Sequence, residues 1–287
     1  MHIFENRTID DEFHRYGYAV VNLLDDAQVQ ELSAIYQRYP SPDIGMGFVV
    51  STLIDDYGYN VAVDEAIRSV LESPLSTVIP DYRIFHASFV TKRPDMPSSA
   101  VAFHQDPTLV DEREHRNFTV WCPLVEVDAR NGWLGVVAGS HRFNQGFRGG
   151  GMPYPDLQDL LNNQLVTFLP MRPGQVVFLD PRTFHCSPRN TTDQPRQVAA
   201  ATVTSRACKN FYYCHRVREQ GEHMMELFEV GDDFFLHHVL GRRPTHGRLH
   251  SVISAPPEPI DAQRMFEACS GLVRQPDDSA IVHGFRV

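Results

Sequence analysis

The apolar residues in the first 80 positions recur mainly at three- and four-residue spacing, which is typical of helices that bury one face. Asp10 is a candidate cap for a first helix that ends at Gly17, and the apolar run from Tyr18 to Leu24 then predicts a strand. Asp25 or Asp26 begins a second helix, which ends before Pro40 and has a regularly spaced apolar face: Val29, Leu32, Ile35, Tyr36 and Tyr39.

Three further segments have helical spacing. The first runs from Asp64 to Ser73 and is expected to stop at Pro74. The other two lie near the C-terminus, from Glu222 to Val230 and from Asp261 to Cys269, with an aromatic run, GDDFFLHHVL, between them.

From about Tyr82 to Ser205 the pattern is different. Short runs rich in Val, Phe, Thr and Trp are separated by Pro, Gly, Asn and Asp, which favours an all-β sandwich or barrel over a parallel sheet. The runs are YRIFHASFVT, AVAFHQD, NFTVWCPLVEV, WLGVVAG, QLVTFLP, GQVVFLD, FHCS and RQVAAATVTS. The Gly-rich segment 144–155 interrupts them, either as a mobile lid or as a plain exposed loop.

Composition narrows the class of protein. The chain has 287 residues, 42% of them hydrophobic, which is ordinary for one globular domain with additions or for two domains. A net charge of −10, with no dense basic stripe, argues against nucleic acid as a partner. The start of the sequence does not resemble a secretory signal, no stretch is apolar enough for a membrane helix, and the five cysteines form no CxxC pair; we therefore expect a cytoplasmic protein with reduced thiols.

Three residues have the arrangement of a metal site. His104 and Asp106 lie two residues apart in a strand-like run, so their side chains are expected on the same face. His185 follows a fully apolar strand and a Pro-containing turn. Two histidines and one carboxylate form the facial triad of non-haem iron(II) oxygenases, which leaves coordination positions open for substrate and dioxygen.

Two further residues, Ser187 and Arg196, lie C-terminal to His185 and suggest a carboxylate site beside the metal. Arg196 follows a cluster of turn formers, and if FHCS and RQVAAATVTS are neighbouring antiparallel strands, then His185, Ser187 and Arg196 face one cavity. The guanidinium can bind a carboxylate through two hydrogen bonds, and Ser187 can donate one more. A triad with such a clamp predicts a site for a dicarboxylic cosubstrate.

The segments FHQD, WCPLVEVDARNGWLGVVAGSHR and FLDPRTFHCSPRNTTDQPR resemble the phytanoyl-CoA dioxygenase family, with its pattern HxD…HxSxxN…R. The opening FHRYGYAVVNLLDDAQVQEL is also similar, so the resemblance spans roughly Phe13 to Ser205. It implies a mainly β fold with flanking helices and a double-stranded β-helix (jelly-roll, cupin-like) core. We expect a single domain over 1–287, with a helical part at 1–80, the core at about 82–205 and a C-terminal extension at 206–287.

Carried over to this sequence, the resemblance implies His104, Asp106 and His185 as iron ligands, with Arg196 and Ser187 on the distal carboxylate of 2-oxoglutarate. Less direct matches are Trp121 beside the cosubstrate, and Phe85 or His86 on a strand that touches it. Phe147 and Arg148, in the Gly-rich segment, are candidate substrate contacts.

The family chemistry implies iron(II), 2-oxoglutarate and dioxygen, with ascorbate as a candidate reductant, and release of succinate and CO2. Asp106 is retained where chlorinating relatives have Ala or Gly, which argues against halogenation. Hydroxylation of an unactivated C–H bond in a small molecule is the expected reaction. Desaturation, cyclisation or epoxidation at the same iron, or a non-catalytic β-barrel sensor, remain the alternatives.

Overall fold

The computed structural model describes residues 2–143, 146–149, 165–218, 221–254 and 260–274. The helices among them are α1 (Arg7–Tyr16), α2 (Asp26–Arg38), α3 (Tyr57–Val78), α4 (Phe234–His237) and α5 (Ala262–Cys269). The strands are β1 (Tyr18–Asn22), β2 (Phe48–Val50), β3 (Tyr82–Lys92), β4 (Val101–His104), β5 (Asn117–Pro123), β6 (Leu134–Val136), β7 (Thr167–Leu169), β8 (Gln175–Leu179), β9 (His185–Ser187), β10 (Arg196–Ser205), β11 (Asn210–Val217), β12 (His223–Val230) and β13 (Arg248–Ser254).

Two antiparallel sheets form the core. The larger has six strands in the order β1-β8-β5-β10-β3-β2, and the smaller has four in the order β4-β9-β6-β7. Apolar side chains from both sheets, among them Trp121, Val177, Leu134 and Leu169, pack in one cluster between them. This arrangement confirms the predicted jelly-roll core, and each of the eight strand-like runs contains a strand.

The N-terminal helices cover the outer face of the six-stranded sheet. Strand β5 shows the resulting division, because its residues alternate between two environments. Phe118 and Val120 pack into the core shared with α1, α2 and α3, whereas Thr119 and Trp121 face the space between the sheets. One face of the large sheet therefore anchors the helices and the other is free to line a cavity.

The predicted boundaries of the first two helices need one correction. Asn6, not Asp10, caps α1, since its side chain accepts the N–H groups of residues 8 and 9. Asp10 lies in the first turn, where its buried carboxylate accepts the N–H groups of Ile3 and Phe4. The end at Gly17 is confirmed, with φ of 80°. The second helix is also confirmed, and a capping box with Asp25 at its N-cap begins it.

The third helix is longer than predicted at both ends. Its N-cap is Asp56, and it passes through Pro74 to Val78. A proline inside a helix removes one backbone hydrogen bond, which was the reason to expect an end there. Burial of Leu75 and Val78 in the core beneath the sheet stabilises the last turn and outweighs that loss.

The C-terminal part forms a third sheet, in the order β11-β12-β13. The predicted helix from Glu222 to Val230 is wrong, because this segment is strand β12 and pairs with a neighbour on each side. Pairing on both edges prevails over the helix-favouring Glu, Met and Leu of the segment. The predicted helix at 261–269 is confirmed as α5, which Asp261 caps. Among the residues described, no helix is both long and apolar enough to span a lipid bilayer.

Candidate functional site

A cavity of about 260 Å³ lies between the two sheets of the jelly roll. Seven of the residues selected from the sequence line it: His86, His104, Asp106, Trp121, His185, Ser187 and Arg196. The predicted metal ligands and the predicted carboxylate site therefore share one cavity, to which both sheets contribute residues.

Antiparallel pairing of β4 with β9 places His104 directly opposite His185. Their ring centroids are 4.1 Å apart, and the Nε2 atoms of His104 and His185 lie 3.8 and 3.6 Å from Oδ1 of Asp106. One ligand atom from each of the three residues lies within 4.8 Å of the other two. The structure therefore brings the predicted triad together.

Backbone carbonyls orient both imidazoles. Nδ1 of His104 is 2.9 Å from the carbonyl oxygen of Ala102, and Nδ1 of His185 is 2.9 Å from that of Thr183. An Nδ1–H donating to each carbonyl leaves the Nε2 lone pairs directed towards Asp106. Burial in the cavity and the adjacent His185 ring lower the pKa of His104 to about 4, so this imidazole is neutral at pH 7.

One backbone and one side-chain hydrogen bond hold Asp106 in place. Its backbone N–H donates to the carbonyl of Pro181, at 2.8 Å. The hydroxyl of Thr119 donates to Oδ2, at 2.9 Å, and leaves Oδ1 facing the histidines. Thr119 is a site residue that was not predicted, although its position two residues before Trp121 on the same strand face was a usable signal.

The residues present fit a divalent iron ion. Two imidazoles and one carboxylate converge from one side of the cavity, and each ligand has a hydrogen bond that fixes its orientation. No cysteine belongs to the cluster, which separates it from the cysteine-rich donor sets of structural zinc sites.

Arg196 is buried at another part of the cavity, at the start of β10. Its Nη1 donates to the carbonyl of Gly132, at 2.6 Å, and to Oγ of Ser187, at 3.3 Å. The Ser187 hydroxyl donates in turn to the Gly132 carbonyl. The guanidinium carbon lies 5.2 Å from the centre of the Trp121 ring. Ser187 and Trp121 thus contact the guanidinium that is expected to bind the cosubstrate.

The strand arrangement behind the predicted clamp is wrong in one respect. Strands β9 and β10 are not hydrogen-bonded neighbours, because β9 belongs to the four-stranded sheet and β10 to the six-stranded sheet. His185, Ser187 and Arg196 still line the same cavity, since the turn between the strands carries the chain from one sheet to the other. Asn190 holds this turn by donating to the carbonyls of Lys92 and Gln194.

The charge of Arg196 has no acidic partner among the described residues. Its Nε is buried without a hydrogen bond, and burial lowers the pKa of the guanidinium to about 9. Lys92 lies opposite Arg196 in the β3–β10 pairing and is fully buried. Burial, together with the nearby Arg196, lowers the pKa of Lys92 to about 6. A bound carboxylate would supply the missing negative charge.

The remaining candidates fall in different environments. Of the pair on β3, His86 lines the cavity, whereas Phe85 is buried in a separate apolar cluster. Phe147 is 44% exposed and stacks on Tyr213. Arg148 is buried and donates to the backbone carbonyl of Asp106.

Neither Phe147 nor Arg148 is among the residues that line the cavity, so their contact with substrate stays a prediction. Arg148 also pairs with Glu112, with Nη2 to Oε1 at 2.5 Å, and so supports the loop that follows Asp106. The rest of the Gly-rich segment, residues 144, 145 and 150–155, lies outside the described residues.

Comparison with solved structures finds the same fold. HygX from Streptomyces hygroscopicus, solved with nickel, 2-oxoglutarate and hygromycin B, is 15% identical, with 70% of this chain and 88% of that chain covered and a TM-score of 0.52. The non-heme alpha ketoglutarate dependent carbocyclase SnoK, from nogalamycin biosynthesis, is 18% identical, with 71% and 86% covered and a TM-score of 0.52. The epimerase SnoN, in complex with Fe3+, alpha ketoglutarate and nogalamycin RO, is 22% identical, with 71% and 84% covered and a TM-score of 0.50.

No curated protein matches the sequence significantly. The family model for phytanoyl-CoA dioxygenase (PhyH) matches residues 13–198, which is more than half of the chain and contains the triad and Arg196. The chain therefore belongs to the phytanoyl-CoA dioxygenase family and is a non-haem iron- and 2-oxoglutarate-dependent oxygenase.

Proposed function

We propose that the chain hydroxylates an unactivated C–H bond of a small molecule. The overall reaction takes the substrate, 2-oxoglutarate and dioxygen and gives the hydroxylated product, succinate and CO2. The observation that carries the proposal is the shared cavity, which is lined both by the triad and by Arg196, a buried arginine that has no acidic partner among the residues the structure describes. One part fits a metal and the other fits a carboxylate.

Each residue has a distinct task in this reaction. His104, Asp106 and His185 would hold iron(II), which, when bound, supplies the activation of dioxygen coupled to decarboxylation of 2-oxoglutarate. Arg196 would bind the distal carboxylate, with Ser187 and Trp121 fixing its guanidinium. Apolar side chains around the cavity, such as Val50 and Leu109, exclude water from the reacting groups. Ascorbate is the expected reductant for iron that has become oxidised.

The lining of the cavity supports a substrate without phosphate groups. Arg196 is the only arginine or lysine among the described residues that line it, and the proposal assigns it to 2-oxoglutarate. The overall charge of −10 also disfavours polyanions such as nucleic acids or free acyl-CoA. We therefore expect a small-molecule substrate.

Anaerobic titration with iron(II) and then 2-oxoglutarate tests the site directly. We expect a weak visible charge-transfer band, which forms only when 2-oxoglutarate chelates the iron through an open coordination site. His104→Ala is the matched control and should give no band. Absence of the band in the unmodified protein would rule out the proposed site.

Product analysis then tests the reaction. Succinate release is screened across amino acids, phosphonates, terpenoids and acyl thioesters, and the product of each active compound is analysed by mass spectrometry. Gain of one oxygen atom in a saturated product indicates hydroxylation. Loss of two hydrogen atoms indicates desaturation or ring closure, and would replace hydroxylation in the proposal. A protein that binds iron and 2-oxoglutarate but releases no succinate with any compound would instead match a sensor.

A further inference from the structure

A third polar group faces the cavity, apart from the triad and Arg196. His86 on β3 is 6% exposed and lines the cavity. Its Nε2 is buried and has no hydrogen-bond partner among the described residues. Buried polar atoms nearly always have partners in native proteins, so an orphaned nitrogen in a cavity wall indicates a position that a ligand completes.

The other nitrogen of His86 faces a carboxylate. Nδ1 lies 3.6 Å from Oδ1 of Asp64, on helix α3. Asp64 is itself held in place, because it accepts the backbone N–H of Ala87 at 2.6 Å and Nε of Arg68 at 2.5 Å. A fixed negative charge beside Nδ1 favours the tautomer with its proton on that atom. Nε2 then carries a lone pair and acts only as an acceptor.

The imidazole stays neutral at physiological pH. Burial lowers the pKa of His86 to about 4, in spite of the opposing effect of Asp64. A second acceptor on the same wall is Asn117, which lines the cavity and has a buried Oδ1 without a partner among the described residues. The same cavity is lined by apolar residues, among them Leu109, Phe235 and Leu240, and the ring of Phe235 lies 5.4 Å from that of His86.

We infer that Nε2 of His86 accepts a hydrogen bond from an O–H or N–H group of the substrate, and that this contact selects uncharged, largely apolar molecules that carry such a donor. The inference rests on the proposed function, because it takes this cavity to be the substrate site. A site with a buried acceptor rejects an analogue without the donor, since the acceptor would remain unpaired. His86 is thus a specificity-determining residue.

Indole and benzofuran test the contact, because they have nearly the same shape and differ in that only indole carries an N–H donor. Binding of each is measured by calorimetry to the full chain, loaded anaerobically with iron(II) and 2-oxoglutarate. We expect indole to bind about tenfold more tightly than benzofuran. The preference should disappear in His86→Leu and return in part in His86→Gln, which restores an acceptor.

His141→Leu is the matched control. His141 is also a buried histidine with an unpartnered ring nitrogen, but it does not line the cavity, so its replacement should keep the preference for indole. Equal binding of the two probes to the unmodified protein, or no binding of indole, would overturn the inference. So would an unchanged preference in His86→Leu. A loss of 2-oxoglutarate affinity in His86→Leu as large as its loss of indole affinity would assign Nε2 to the cosubstrate instead.

The tautomer is measured on the unmodified protein, so the test does not depend on whether the variants fold. In ¹⁵N NMR of histidine-labelled, metal-free protein, the His86 ring should show the proton on Nδ1, and a proton on Nε2 would overturn the inference. Failure of the proposed function has a different signature, because iron(II) and 2-oxoglutarate would then fail to bind the unmodified protein. The preference for indole can still be measured on metal-free protein and decides the role of His86 by itself.

Discussion

The triad end and the Arg196 end of the cavity differ in how their polar groups are satisfied. At the triad end, both Nδ1 atoms have carbonyl partners and Asp106 accepts from Thr119. At the other end, Nε of Arg196 has no hydrogen-bond partner within the described part of the chain, and the buried Lys92 lies beside it. At the triad end, every hydrogen-bonding group named here has a partner except the atoms that face a metal. At the Arg196 end, a buried positive charge is left without a compensating negative charge from the residues described.

This difference indicates which part of the site depends on a ligand. Strand pairing and backbone carbonyls orient the triad, so its geometry should be present before iron binds. Burial removes the Arg196 guanidinium from water without pairing it with a carboxylate of the described residues. A buried cation of this kind destabilises the unliganded protein. Binding of 2-oxoglutarate should therefore stabilise the fold by more than its contact area alone suggests.

The largest expected effect comes from removing a triad ligand. His104→Ala should abolish succinate release and iron binding, because two of the three ligands then remain and Asp106 loses a neighbour at 3.8 Å. Anaerobic iron titration and succinate assays measure the two properties. His141→Ala provides the control, as that histidine is buried outside the cavity. Retained turnover in His104→Ala would remove His104 from the ligand set.

Replacing the arginine should separate cosubstrate binding from stability. In Arg196→Met we expect 2-oxoglutarate to bind about a hundredfold more weakly, from the loss of hydrogen bonds to a charged group worth about 1.5–3 kcal/mol each. Without ligand, the melting temperature should stay the same or rise, since a buried charge without an acidic partner is gone.

Calorimetry and thermal unfolding, with and without 2-oxoglutarate, measure both effects of Arg196→Met. Arg93→Met is the control, because Arg93 does not line the cavity. An unchanged cosubstrate affinity would place the carboxylate site elsewhere. A large drop in the unliganded melting temperature would show that the two ends of the cavity do not differ in the way the geometry indicates.

A smaller effect is expected from the hydroxyl that orients Asp106. Thr119→Val keeps the shape of the side chain but removes the donor to Oδ2. Loss of such an orienting partner typically reduces metal affinity about tenfold to a hundredfold. Thr202→Val is a matched control, because Thr202 pairs with Thr119 across β10 and β5 and lines the same cavity. Equal iron affinities in the two variants would show that Thr119 does not position the ligand.

The sequence predicted the site well where it depends on local spacing. His104 and Asp106, two residues apart, do place their side chains together, and Gly17 and Asp25 mark helix ends as their conformational preferences require. Arg196 was found through its offset from His185. The strand between Asn117 and Pro123 was predicted because its apolar and β-branched residues are typical of a buried sheet.

The errors came from contacts that are distant in sequence. Spacing within a segment gives no information on which sheet a strand joins, so the pairing of β9 with β10 could only be assumed, and the assumption is wrong. The position of Thr119 on the same strand face as Trp121 places it at the cavity, but only the packed sheets show that its hydroxyl reaches Asp106. Pro74 and the helix-favouring segment of β12 were misread because tertiary packing and strand pairing outweigh local preference.

The closest test of the Arg196 end concerns the pH dependence of stability. The pKa of Lys92 is lowered from 10.5 to about 6, so between these values the unfolded chain holds a proton that the folded chain has released. The free energy of unfolding must then rise with pH across this window, by at most about 1.4 kcal/mol per pH unit from this group. Lys92→Met should flatten that rise and increase stability at pH 7, measured by urea unfolding between pH 6.5 and 9.

The only other lysine, Lys209, gives the control. Its side chain is 70% exposed and pairs with Glu229, so Lys209→Met should leave the slope of stability against pH unchanged. If Lys92→Met kept the slope of the unmodified protein, the ammonium would have to be charged in the folded state. Two adjacent cations, Lys92 and Arg196, would then lie at this end of the cavity. The two ends would differ even more, because the polar groups at the triad end would still be satisfied without a ligand. At the Arg196 end, a bound carboxylate would have to compensate two positive charges instead of one.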